Sequence, residues 1–103
     1  MNKKKDIIGL ERKDIDSIIN IIRKFSSRSK IFIFGSRAKG NFKTGSDIDL
    51  AIVDDTLTLD KILEIRLQLE ELNLPYQFDI LDYNKINNID LKSHIDRVGI
   101  QLQ

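Results

Sequence analysis

Cysteine is missing from all 103 residues of the chain, so disulfide frameworks and thiolate metal centres are excluded together. Histidine occurs once, as His94, which leaves oxygen atoms as the main metal ligands and favours a hard cation. An excess of charge of one sign is lacking too: 17 basic against 16 acidic residues give a formal charge of +1. Nothing in that balance would gather a DNA or RNA polymer, and the one basic tract is Lys3, Lys4 and Lys5. The apolar runs are only a few residues long, and the opening Met-Asn-Lys-Lys-Lys-Asp leads into no signal-type segment. A cytoplasmic protein with no membrane partner is expected. Proline occurs once, as Pro75, between a helical pattern and a strand pattern, and there is no repeat, low-complexity tract or interdomain linker.

What is there is the composition of one globular domain, 41% hydrophobic and 32% charged. A chain of this size buries about 60 to 70% of its unfolded surface, enough for a single core. The first nine residues are expected to be loosely held, with one domain over 10–103. Ile15, Ile18, Ile19, Ile22 and Phe25 follow helical spacing and predict an amphipathic helix from Glu11 to Phe25. Lys30 to Phe34 is a β-branched and aromatic run ending at Gly35, as a buried strand does at a tight turn. A polar loop, Asn41 to Ser46, leads to a second strand, Asp47 to Val53, with Ile48, Leu50 and Ile52 opposite its aspartates. Ile62, Ile65, Leu69 and Leu72 predict a helix over Asp60 to Leu72, capped by Thr58 or Asp60 and stopped by Asn73 and Pro75. Tyr76 to Leu81 is the third strand, and Leu91, Ile95, Val98 and Leu102 mark a last helix that runs through Gly99. The predicted fold is α/β (α+β): a small mixed sheet of at least three strands flanked by helices, in the order αββαβα, with a short helical turn after the first strand.

Asp47 and Asp49 stand one residue apart at the head of a strand, so both project to the same side, about 6.5 Å apart at a rise of about 3.3 Å per residue. Asp79 sits between Phe78 and Ile80, where an acid is expensive unless its charge is compensated. If the second and third strands are neighbours, about 4.8 Å apart, the three carboxylates gather around one spot. Magnesium suits such a place, because it takes oxygen ligands and is commonly shared between one or two carboxylates and substrate phosphates. Two such ions about 4 Å apart flank an in-line displacement at phosphorus. Gly35 and Ser36 offer phosphate a backbone without Cβ and a hydroxyl. Lys39 follows one turn later, placed to neutralise the leaving phosphates, and Arg37 either assists there or faces solvent.

The stretch Gly35-Ser36-Arg37-Ala38-Lys39-Gly40, the strand Ser46-Asp47-Ile48-Asp49-Leu50 and the strand Phe78-Asp79-Ile80-Leu81 resemble the nucleotidyltransferase superfamily that includes DNA polymerase beta. Within it the chain is most similar to the minimal nucleotidyltransferases, along almost its whole length. The resemblance implies that Gly35 and Ser36 are the phosphate-binding pair, Lys39 a basic phosphate contact, Asp47 and Asp49 ligands of two Mg²⁺ ions, and Asp79 the acid that helps activate the attacking hydroxyl. It also implies ATP as substrate and a helical HEPN-family toxin as partner in a hetero-oligomer. In such pairs the transferase is the antitoxin, moving AMP from ATP onto a tyrosine of the HEPN ribonuclease. Alternatives are a non-catalytic antitoxin that occludes its partner, and nucleotidyl transfer to a small molecule such as an aminoglycoside.

Several residues are given plainer readings. Gly35 and Gly40 have the outer spacing of a Walker loop, but Asn41 and Phe42 stand where Lys and Ser or Thr are required. Asp54 and Asp82 have the wrong strand parity and Asp55 lies past the strand end, so all three are read as surface residues. Lys43 is read as a solvated loop residue, Tyr76 and Tyr83 as packing or rim residues, and His94 is assigned no role.

Overall fold

The computed structural model describes residues 8–43 and 45–102. Helix α1 covers Arg12–Phe25, strand β1 Lys30–Phe34, the short helix α2 Gly35–Lys39, and strand β2 Ile48–Val53. Helix α3 (Leu59–Glu70), strand β3 (Phe78–Asp82), a 3-10 turn (Tyr83–Lys85), helix α4 (Ile89–Val98) and strand β4 (Ile100–Gln101) complete the chain. The four strands form one sheet in the order β3-β2-β1-β4. β1 runs antiparallel to both neighbours, while β2 and β3 are parallel, connected through α3.

The spacing of apolar residues decides which face each element buries. On one side of the sheet Ile31, Ile33, Ile48, Leu50, Ile52 and Ile80 meet Ile15, Ile18 and Ile22 of α1 and Ile65 and Leu69 of α3. These eleven side chains are all buried, because a strand period of two and a helix period near 3.6 both point them at one layer. Thr58 caps α3, its hydroxyl accepting from the Lys61 amide at 3.2 Å, which resolves the choice between Thr58 and Asp60. Asn88 caps α4 through the amides of Asp90 and Leu91.

The last helix departs from expectation. It stops at Val98, the Gly99 amide bonding back to the Ile95 carbonyl at 2.8 Å, and Ile100–Gln101 turns into an edge strand beside β1. Leu102, read as part of the helical stripe, enters the main core instead. A Cβ at residue 99 would press on the Ile95 carbonyl, so glycine there lets the chain leave the helix. The sheet gains a fourth strand by this exit.

The face that bears the aspartates is not left bare. Phe34, Ala51 and Ile95 form a second, smaller buried cluster, with Phe32, Leu81, Tyr83, Ile86 and Leu91 packed against it. Helix α4 thus covers part of the face that bears the aspartates. Of the nine residues expected to be loosely held, 1–7 lie outside the described residues. Ile8 is fully buried, and the carbonyls of Ile8 and Gly9 both accept from Arg37. No helix among the described residues is long and apolar enough to cross a membrane.

Candidate active site

At one end of the sheet, β1 finishes at Phe34 and β2 and β3 begin. Phe34 lies opposite Asp49 in the antiparallel ladder, and Asp49 lies opposite Asp79 in the parallel one. Asp47 stands one residue before β2 begins, and its charge reaches Asp49, so three carboxylates bear on one corner of two adjacent strands. Their mutual presence is felt at Asp49, whose carboxyl is held above the usual carboxylate range by burial, then by the negative charges of Asp79 and Asp47. His94 on α4 works in the opposite direction. Its ring stands edge-on to Phe34, with centroids 6.2 Å apart at 81°, which carries it to the acidic corner. In the sequence His94 stands only beside the α4 apolar stripe, and nothing local marks the strand it packs on.

The glycine-serine turn touches this corner directly. Gly35 has φ +74°, a left-handed conformation that disfavours side chains, and a Cβ there would collide with the Asp49 carboxylate. Glycine is therefore required twice over, by the backbone and by the acid. The short helix α2 then carries Ser36 and, at its exposed last position, Lys39. Gly40 closes it with φ +83°, its backbone N–H donating a hydrogen bond to the Ser36 carbonyl.

Arg37 corrects the expectation made for it. It neither faces solvent nor opens toward the acids; it is 1% exposed. Its guanidinium donates to the Ser46 carbonyl at 3.2 and 3.0 Å and to the Ile8 carbonyl at 2.9 Å. The rings of Phe42 and Tyr76 lie 5.1 and 4.6 Å from its carbon centre. The side chain is a strut: it fastens the segment before α1 to the residue that precedes Asp47. The Lys43–Ser46 turn is further fixed by the Lys43 amide on the Ser46 hydroxyl at 2.7 Å, and the Ile48 amide bonds to the Gln77 carbonyl at 2.8 Å. Asp47 and, in β2, Asp49 thus follow an anchored start.

The acids set aside fall out in different ways. Asp54 accepts from the Ser26 hydroxyl and from the amide and hydroxyl of Thr56, which holds its carboxyl below the usual range. Asp55 is exposed and accepts from Asn84 at 2.9 Å. Asp82 was expected at the surface, but its side chain is only 7% exposed, with Oδ2 3.7 Å from the Lys85 amino group. Its parity turns it away from the site face, to the side on which its partner Ile52 joins the main core. Tyr76 packs on Arg37, and Tyr83 donates to Asp96 at 2.5 Å.

Among the described residues, no group of three or more His, Cys, Asp or Glu side chains is set closely enough to hold a metal ion by itself. The gathering of Asp47, Asp49 and Asp79 is one of shared corner, register and repulsion. That donor set fits magnesium, whose shell is commonly completed by substrate phosphate rather than by protein alone.

A mixed sheet with a glycine-serine turn pressed against paired strand carboxylates defines the class of nucleotide-transferring enzymes. More narrowly, residues 16–103 match the model of the family described as Polymerase beta, Nucleotidyltransferase, and the chain belongs to that family. It is 29% identical over 98 residues to the Haemophilus influenzae protein named "Probable protein adenylyltransferase MntA", covering 93% of this chain and 84% of that one. A chain of a toxin-antitoxin crystal structure with AMP-PNP superposes with a TM-score of 0.72 at 26% identity, over 86% of this chain and 72% of the other. The fold is also that of a complex of a tri-AMPylated Shewanella oneidensis HEPN toxin with its MNT antitoxin, at a TM-score of 0.68 and 23% identity, over 89% of this chain and 71% of that one.

Proposed function

We propose that this nucleotidyltransferase is a protein adenylyltransferase, a single domain over 10–103 that moves AMP from ATP onto a tyrosine of a HEPN-type helical toxin and so serves as its antitoxin in the cytoplasm. The observation that carries the reading is the corner itself: Asp49 lies opposite Asp79, stands two residues after Asp47, and has a carboxylate that closes on Gly35. The similarity to the Haemophilus influenzae protein supports AMP as the group transferred, and the AMP-PNP complex supports ATP as its donor.

In this reading Asp47 and Asp49 would hold two Mg²⁺ ions, with Asp79 as a further ligand. Bound there, magnesium would supply positive charge against the phosphates and the carboxylates. Gly35 leaves room for the triphosphate, the Ser36 hydroxyl donates to it, and Lys39 balances the departing pyrophosphate. Asp79 takes the proton of the tyrosine hydroxyl. The tyrosine oxygen bonds to the α-phosphorus as the bond from that phosphorus to pyrophosphate breaks, giving an AMP ester and pyrophosphate. Little else is asked of the protein, because phosphoryl transfer is largely a matter of positioning and charge stabilisation.

The test is to incubate the protein with α-labelled ATP, magnesium and the HEPN-type toxin of the same genome. Label is expected on the toxin with the wild-type protein and not with Asp47→Asn, Asp49→Asn. Equal labelling by both refutes the assignment. If that double variant still relieves the toxin fully in cells at equal expression, inhibition is by occlusion and the antitoxin role does not need the transfer.

A further inference from the structure

Helix α3 buries Ile65 and Leu69 but leaves Leu59, Leu63 and Leu67 at 66, 48 and 57% exposure. Spaced four residues apart, these leucines stand in one row along the helix. Single exposed leucines are ordinary, but an aligned row on one helix is a patch. Asp60, Glu64 and Glu71 run along one flank of it, and none of them makes an ion pair among the described residues. On the other flank Arg66 and Glu70, each three residues beyond a leucine of the row, join Tyr76, Gln77 and Phe78 around a groove of ≈ 400 Å³. Phe78 opens β3, the outermost strand on that side of the sheet, and the next residue is Asp79. The leucine row therefore continues, through the groove, to the edge of the strand that bears an acid of the active site.

We propose that this row is where the acceptor protein docks, through a helix whose own apolar row is flanked by lysine or arginine. The proposal rests on the reading above only in taking the acceptor to be a protein. Charge selects the occupant: the uncompensated acids favour a basic flank, whereas two copies of this row packed antiparallel about a twofold axis would set the acidic flank against itself. Position selects it too. A partner gripping α3 needs to pass only one strand edge to present a hydroxyl on the Asp79 face, and this grip raises the local concentration of that hydroxyl.

Leu63→Glu, Leu67→Glu changes exposed side chains and leaves the core intact. Calorimetric titration of the purified HEPN-type toxin into this variant is expected to give a Kd at least about tenfold above wild type, with ATP binding unchanged. Transfer of AMP is expected to fall at limiting toxin and to recover at saturating toxin, a rise in KM without loss of kcat. Glu64→Gln, Glu71→Gln is expected to flatten the salt dependence of binding. A Kd within about twofold of wild type for the leucine variant overturns the proposal. So does an effect of the leucine changes confined to self-association of this chain. If the toxin binds through the leucine row and receives no label from wild type, docking stands and the transferase reading falls. If it is labelled normally and the row is irrelevant to its binding, the reverse holds.

Discussion

Replacing Arg37 with alanine removes a cation that no acid balances, since no carboxylate pairs with it among the described residues. What compensates its burial is a cage of carbonyls and rings: two bonds to Ser46, one to Ile8, a longer one of 3.4 Å to Gly9, and the faces of Phe42 and Tyr76. Truncation leaves the Ile8 and Ser46 carbonyls without this donor, at about 1–3 kcal/mol each. Two ring contacts contribute about 0.5–1 kcal/mol each. Against this, the cost of keeping a guanidinium out of water, several kcal/mol in general, is relieved. The net expectation is a loss of about 3 kcal/mol, a large share of the stability of a small domain. Urea unfolding followed by far-ultraviolet circular dichroism should show a midpoint lower by about 2 M with the slope unchanged. Arg37→Lys keeps the charge but not the planar fork that spans Ile8 and Ser46, and should lose about half as much. A loss below about 1 kcal/mol in Arg37→Ala would refute the strut and reopen a role at the phosphates.

Asp49→Asn should stabilise the metal-free protein at neutral pH while abolishing transfer. Because the folded carboxyl titrates above its model value of 3.8, the unfolded chain gives up that proton first as pH rises, so folding stability falls through the window between the two values. The advantage of the amide, read as a higher Tm, should shrink as pH is lowered through 3.8, below which both states keep the proton. Millimolar Mg²⁺ should raise the Tm of wild type more than that of the variant, and an equal rise in both would remove Asp49 from the ligand set. Gly35→Ala forces a side chain into left-handed backbone, at about 1–2 kcal/mol, and against the Asp49 carboxylate. Its Tm should drop by several degrees and its AMP transfer by about 100-fold; full activity would show that the carboxylate is free to move. Thr58→Ala should cost about 1 kcal/mol by loss of the α3 cap, without effect on transfer.

How much of this was legible beforehand differs residue by residue. The strand from Lys30 and the helix from Glu11 were readable because apolar spacing is set by the backbone repeat, and a neighbour was needed only to supply the other half of the core. The place of Asp49 on its strand was readable for the same reason. Gly99 was misread as a blemish in a helix because Leu102 continues the helical spacing by coincidence. What ended the helix was an open edge of β1, on which Ile100 pairs with Ile33, a partner 67 residues back in the chain. Asp82 was misplaced because parity assigns a side of the sheet but does not say that this side is core where Asp82 stands opposite Ile52.

The sequence by itself determined the acids, the glycine-serine turn and the order of helices and strands as far as the last helix, since these rest on side-chain type and on periods of the backbone. Only the tertiary structure decided that β3 lies beside β2 and brings Asp79 opposite Asp49, that Arg37 points inward, that His94 reaches the same corner, and that the α3 leucines stay uncovered. Each of these depends on which distant segment occupies the neighbouring space, and burial, charge pairing and orphaned carbonyls acquire their energies only when that neighbour is in place.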